Sequence, residues 1–174
     1  MNALPATARR LRVRLAWLAL LAGVAAAAPA AERAGWDFDL ATLEGDRFVQ
    51  ASQIAGPVLV NFWGRDCPPC VAELPRLQAF ARDQRDWTLL LVATDPPQEA
   101  RVFLQRRGIT LPALKSGPNV VPLMRAAGNR TGGLPFTVAL RDGHVCRIHE
   151  GELSDAALED LRVSCGGAAS GGSR

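Results

Sequence analysis

A chain of 174 residues with four cysteines is long enough to bury a core without metals or a disulfide framework, and reads as one compact domain. Its formal charge of +3 is set by the N-terminus. Residues 1–30 hold four arginines and no acid, and without them 16 basic side chains face 17 acidic ones, near −1. Lys115 is the only lysine, so neither charge nor clustering supports a nucleic-acid partner.

Arg9, Arg10, Arg12 and Arg14 precede an apolar run over residues 15–28, and Ala28-Pro29-Ala30 offers small residues for cleavage. This reads as a signal peptide ending at Ala30, with an uncleaved N-terminal anchor as the alternative. The run is short of the roughly 20 residues a membrane span needs. It has no polar face for an amphipathic surface helix, and the surroundings of Arg9-Arg10 fit twin-arginine export poorly. Export implies the periplasm or the inner-membrane surface, where disulfides persist. Membrane contact is expected only if the segment stays attached.

Residues 36–48 alternate loosely around Glu44-Gly45 and read as a hairpin. Ser52 is placed to cap a helical turn before Gly56-Pro57. Val58-Leu59-Val60-Asn61-Phe62-Trp63 predicts a central strand buried on both faces, ended by Gly64. Residues 67–85 predict a helix with a stripe of Val71, Leu74, Leu77 and Phe80, with Glu73, Arg76 and Arg82 mostly off it, and a kink at Pro75. Residues 87–93 read as a second buried strand, and Pro96-Pro97 opens a helix that Gly108 stops. Residues 111–114 read as extended and residues 119–127 as a short helix ended by Gly128. Two strands flank Asp142-Gly143, a strong two-residue hairpin signal. Ser154 starts the last helix, reaching about Ser164, and residues 166–174 form a Gly/Ser-rich tail expected to be disordered. This order predicts an α/β domain over residues 31–165, with a mixed central sheet and helices on both faces.

The chemistry lies in Cys67-Pro68-Pro69-Cys70. Where a strand meets a helix, the first sulfur falls at the helix N-terminus, where unpaired N–H groups and the macrodipole favour a thiolate. That thiolate is the nucleophile of disulfide exchange, and Cys70, one turn in, resolves the mixed disulfide. Pro68 and Pro69 remove two N–H groups that would lack partners there anyway, and stiffen the loop. A zinc half-site would need two more ligands, with His144, Cys146 and His149 the only candidates after residue 30. His144 and Cys146 share a strand face by strict alternation while His149 points the other way, and the strand-to-helix context fits redox chemistry better. No metal is therefore expected. Val71 stands where a haem-attachment motif needs histidine. A copper(I)-carrying module on the same dithiol is a second reading, but no methionine- or histidine-rich loop accompanies it. A peroxidase would need a cysteine in a different loop setting.

These residues, with Glu73 and Pro75, with Gly133-Leu134-Pro135-Phe136-Thr137-Val138 and with Asp142-Gly143, resemble the thioredoxin family, most closely its exported TlpA/ResA-like branch. The resemblance spans residues 36–164. It implies a thioredoxin-like fold and a periplasmic thiol–disulfide oxidoreductase without cofactor. It further implies clients bearing cysteines or disulfides, such as those destined for haem attachment, and a membrane electron donor. Reduction of clients is the implied direction, with net oxidation the alternative. Pro135 matches the family's cis-proline, Trp63 the tryptophan beneath the active site, and Glu73 an acid that tunes or relays protons near the thiols. Asn61 departs from the buried acid of cytosolic thioredoxins, and Asp66 from the usual tryptophan. Beside Cys67, Asp66 opposes a thiolate and Arg65 favours one. In such a fold the last helix packs back on the sheet and brings Cys146 and Cys165 within reach of a structural disulfide. A buried Cys146 with a free Cys165, or a relay to the dithiol, are the alternatives.

Overall fold

The structure, a computed structural model, describes residues 35–166. The expected signal segment and the tail from residue 167 lie outside them. Strands β1 (Asp39–Ala41) and β2 (Phe48–Gln50) pair as a hairpin. The five-stranded sheet contains β3 (Pro57–Trp63), β4 (Thr88–Ala93), β5 (Ala113–Lys115), β6 (Phe136–Arg141) and β7 (His144–Glu150). The helices are α1 (Pro68–Asp83), α2 (Pro97–Arg106), α3 (Val120–Ala127) and α4 (Asp155–Gly166).

The strand order is β5-β4-β3-β6-β7. All seven residues of β3 are buried, as its apolar run requires of a strand covered on both faces. It runs parallel to β4 and antiparallel to β6, with Phe62 opposite both Val92 and Phe136. Alternate β3 side chains enter two cores. Leu59 and Trp63 pack with Cys70, Leu74 and Leu77 of α1, Ala100 and Leu104 of α2, and Leu158 and Leu161 of α4. Val58, Val60 and Phe62 pack with Met124 and Ala127 of α3 and with Trp36 and Phe38. Helices therefore cover both faces of a mixed sheet.

Ser52 does not cap a helix. It lies inside a 3₁₀ turn, Ala51–Gln53. Its N–H and hydroxyl instead donate to the Asp37 carboxylate at 2.9 and 2.7 Å. Ser154 does cap α4, its Oγ accepting from Ala157 N–H at 3.1 Å. Helix α4 runs to Gly166, two residues past its expected end, so the first residue assigned to the tail is helical. Asp142 and Gly143 both take left-handed φ, 52° and 77°, the backbone of a two-residue hairpin turn whose twist matches its strands.

One expectation fails at β7. Ala139 pairs Arg147 while Leu140 pairs Val145, so Cys146 is the extra residue of a bulge. The bulge resets the alternation, and Val145 and Ile148 pack into the same core. His149, opposite Thr137, thereby shares its face with His144 and Cys146 rather than opposing them.

Candidate active site

The site grows from the C-terminal end of β3. The Trp63 carbonyl accepts from Thr94 N–H and Oγ1 at 3.0 and 3.1 Å, which fixes the strand end. At Gly64 a Cβ would stand 3.0 Å from Thr94 Oγ1, so the turn toward Cys67 runs through a place only glycine fits comfortably. Cys67 N–H donates to Gly64 O at 3.2 Å.

Cys67 is the N-cap of α1, with Pro68 and Pro69 as its first two helical residues. The first backbone donors of the helix are therefore those of Cys70 and Val71. Cys70 N–H points at Cys67 Sγ, 3.3 Å away, and Val71 N–H donates to Cys67 O at 3.1 Å. The sulfurs are joined in a disulfide with Cα atoms 5.3 Å apart. Cys67 is half-buried and Cys70 fully buried. An incoming sulfur can reach only the first of the pair. A thiolate on Cys67 would also keep the Cys70 N–H as a charge-assisted donor.

The opposed charges beside Cys67 do not balance. The Arg65 guanidinium lies 2.7 Å from Glu99, 3.7 Å from Asp95 and 3.6 Å from Asp66, and the Arg65 backbone N–H donates to Asp95 Oδ2 at 2.7 Å. One cation faces three carboxylates, so its field is spent on them. The local balance is negative, with Asp66 solvated and the Asp95 side chain mostly buried.

Glu73 is where the structure departs furthest from the helix periodicity. The stripe over Val71, Leu74, Leu77 and Phe80 places Glu73 mostly to one side. The buried positions are instead Cys70, Glu73, Leu74 and Leu77, a helix face stepping by three and four residues. Glu73 is fully buried, one turn below Cys70 on the same face. Its Oε1 accepts from Asn61 Nδ2 at 2.7 Å and its Oε2 from Leu153 N–H at 2.7 Å. Asn61 Nδ2 also donates to Thr137 Oγ1 at 3.0 Å, its cross-strand neighbour. A buried acid thus reaches the core from α1, with Asn61 of β3 as one of its donors.

Asn61 Oδ1 has no hydrogen-bond partner among the described residues. Turned over, the same amide presents an acceptor to a protonated Glu73, and the Thr137 hydroxyl changes from acceptor to donor. The surroundings therefore accommodate either protonation state of the acid.

Burial pushes the Glu73 carboxyl above the ordinary carboxylate range. The hydrogen bonds from Leu153 and Asn61 oppose the rise, Glu152 adds to it and Arg76 counters it. An acid whose folded pKa is raised stabilises the fold fully below its unfolded pKa. That contribution is lost as pH climbs through the folded value. Glu73→Gln, neutral throughout, is therefore expected to gain stability relative to the parent as pH rises from about 4, and then to level off. Urea unfolding of both chains across that range measures it, and a pH-independent difference would show that burial leaves this acid unperturbed.

Trp63 is fully buried, its ring 5.7 Å from that of Phe103, and it shares a core with Cys70 and Leu74. Its Nε1 has no hydrogen-bond partner among the described residues. The Leu134–Pro135 bond is cis, and Pro135 is buried. Since Phe136 pairs Phe62, Pro135 falls at the same sheet end from which the dithiol loop departs. Pro68 lies exposed and Pro69 half-buried on the first turn of α1. The Leu153 backbone, Thr137 and Arg76 are the contributors that sequence reasoning missed. Thr137 was legible as the polar residue within the apolar run of residues 136–140, whereas a backbone N–H carries no sequence signal.

The second pair is joined as a Cys146–Cys165 disulfide, Cα atoms 5.4 Å apart. Arg141 Nε donates to Cys165 O at 2.6 Å. The neighbour of Cys146, Arg147, pairs Ala139, which in turn pairs Leu59. That is four residues along β3 from Trp63, roughly 13 Å of strand, so this bridge sits away from the dithiol. Cys146, one of the three residues weighed as zinc ligands, is spent in it.

Residues 31–122 match the AhpC/TSA family. The thiol-disulfide oxidoreductase ResA of Geobacillus thermodenitrificans is 30% identical over 130 residues, covering 72% of this chain and 71% of the relative. That of Halalkalibacterium halodurans is 29% identical, with the same coverage. A putative thioredoxin from Neisseria meningitidis superposes with a TM-score of 0.64 at 24% identity, over 78% of this chain and 92% of the other. The exposed lipoprotein thioredoxin Etrx1 of Streptococcus pneumoniae gives 0.61 at 22%, over 73% and 98%. A strand-to-helix dithiol carried by this fold, together with relatives of that kind, places the chain in the AhpC/TSA family as a thioredoxin-like thiol–disulfide oxidoreductase of the ResA type.

Proposed function

We propose that the protein is an extracytoplasmic, periplasmic reductase of client-protein disulfides, working through Cys67 and Cys70. The observation that carries the proposal is the asymmetry of the pair: an accessible Cys67 at a helix N-terminus above a fully buried Cys70. In the reduced protein the Cys67 thiolate attacks a client disulfide, forming a mixed disulfide and releasing one client thiolate. Cys70 then gives up its proton, with Glu73 one turn away as the acceptor, and attacks Cys67 Sγ. The second client thiolate leaves, and two electrons have passed from the dithiol to the client. A membrane electron donor restores the dithiol. The cis-Pro135 segment forms the wall against which an extended client lies, Trp63 packs beneath the pair, and Pro68 and Pro69 hold the first turn of α1 stiff. The Cys146–Cys165 bond is structural.

One feature supports reduction as the direction. The three carboxylates around Arg65 raise the free energy of a Cys67 thiolate, and that favours the disulfide form of this protein over its reduced form. The N–H of Cys70 works the other way, but as a single donor. Export is supported by residues 1–30 and by the description of the pneumococcal neighbour as an exposed lipoprotein.

Equilibration of the purified chain against glutathione mixtures, with the Cys67–Cys70 state read by mass after alkylation, tests the direction. The expected potential lies below the glutathione couple. A value well above it makes the protein an oxidant of client thiols.

A further inference from the structure

The segment 151–154 that links β7 to α4 is held at three points by the parts of the active site. Gly151 N–H donates to Pro135 O at 2.9 Å. Leu153 N–H donates to Glu73 Oε2 at 2.7 Å, and Leu153 O accepts from an Arg76 guanidinium nitrogen at 2.6 Å. Glu73 and Arg76 stand one turn apart on α1, so a single helix face grips both polar ends of one residue. The Leu153 side chain is fully buried, which anchors the segment between them. Arg76 also bonds Asp155 at 2.8 Å and lies 3.9 Å from Glu152.

An exposed ion pair with Asp155 alone would contribute little. The bond to the Leu153 carbonyl differs, because the same peptide segment supplies one of the two donors to the buried carboxylate found among the described residues. We propose that Arg76 is a positioning residue for the dithiol chemistry: by clamping the 151–154 strap it keeps the Leu153 N–H on Glu73 and joins that acid to the Pro135 wall. The inference rests on the reading of Cys67 and Cys70 as the reactive pair.

The groups facing Glu73 can be named from each side. Helix α1 presents Arg76 and, once reduced, the Cys70 thiol. The strap presents Glu152, with Asp155 behind Arg76 and the His149 ring 3.2 Å from Glu152 O. Strands β3 and β6 present the neutral Asn61 and Thr137. Arg76 is the cation in this set that bonds the strap, so its loss removes a nearby positive charge and slackens the N–H donor. Both changes favour protonated Glu73.

The test is the pH profile of thiolate formation and of client-disulfide reduction by the full chain, with the second disulfide intact. Arg76→Gln is expected to move the Glu73-linked inflection upward by roughly one pH unit. Arg76→Lys, which keeps the charge but not the fork, is expected to move it by less, and decides alone if the glutamine variant does not fold. In a Glu73→Gln background the Arg76→Gln shift should vanish. An absent or downward shift, or one that persists without Glu73, overturns the proposal. If instead Cys67→Ser reduces clients as fast as the parent in the same assay, the reading of the dithiol itself fails.

Discussion

Cys67→Ser is expected to bring client-disulfide reduction down to background, a loss of at least about 10³-fold, while Cys70→Ser is expected to stall with client attached. The difference follows from position. Cys67 caps α1 at its accessible end and receives the Cys70 N–H at 3.3 Å, so without its sulfur nothing else in the pair can meet a client: Cys70 has no exposed surface. Without Cys70 the first attack is untouched, because Cys67 keeps its place at the helix N-terminus. The second step then has no nucleophile, and the mixed disulfide accumulates. Non-reducing electrophoresis of Cys70→Ser exposed to disulfide-bearing clients should show adducts that collapse on adding reductant. Equal inertness of the two variants, or adducts that survive in Cys67→Ser, would move the nucleophile elsewhere. Cys146 and Cys165 would be the next to examine.

The second large effect belongs to the other pair. Replacing Cys146 and Cys165 together by serine is expected to cost about 3 kcal/mol of stability. The bond spans 19 positions of chain, and opening a loop of that size returns this order of entropy to the unfolded state. For a domain of this size the melting temperature should fall by roughly 10 °C. The bridge ties the end of α4 to β7, and Arg141 adds a hydrogen bond to the Cys165 carbonyl. The loop it closes also contains Leu153, whose N–H serves Glu73. Thermal unfolding of parent and double variant, with the active-site dithiol in the same redox state, measures the effect. Client reduction per folded molecule should survive, since the bridge lies roughly 13 Å of strand from the dithiol end of β3. Unchanged stability would mean the bond is not structural, and lost activity in a folded variant would revive a relay between the pairs.

Some of this was readable directly from residue order. The apolar run ending at Trp63, the dithiol after it and the Asp142-Gly143 turn each act locally. A run of buried β-branched and aromatic residues, a proline pair at a helix start and two residues able to take positive φ specify their own conformations with little help. The mixed sheet with helices on both faces follows from their order, and Cys67 at the helix N-terminus follows from strand length.

What the tertiary structure decided is how side chains distant in sequence share one environment. Glu73 looks like an off-stripe helix residue until β3 and the 151–154 strap cover it, because helix periodicity reports one helix and not the breadth of surface its neighbours bury. Asn61, Thr137 and Leu153 come from three segments, and only their packing makes them partners of one carboxylate. The contest between Arg65 and Asp66 was undecidable in one dimension, since the carboxylates that tip it, Asp95 and Glu99, arrive from the segment after β4 and from α2. The bulge at Cys146 likewise overrode strict alternation and put His149 on the face that counting by twos denied it. Local conformation is set by short-range sterics and hydrogen bonding that neighbours in sequence supply. Burial, charge balance and the acid strength of Glu73 depend on the dielectric and the partners that only the folded chain assembles.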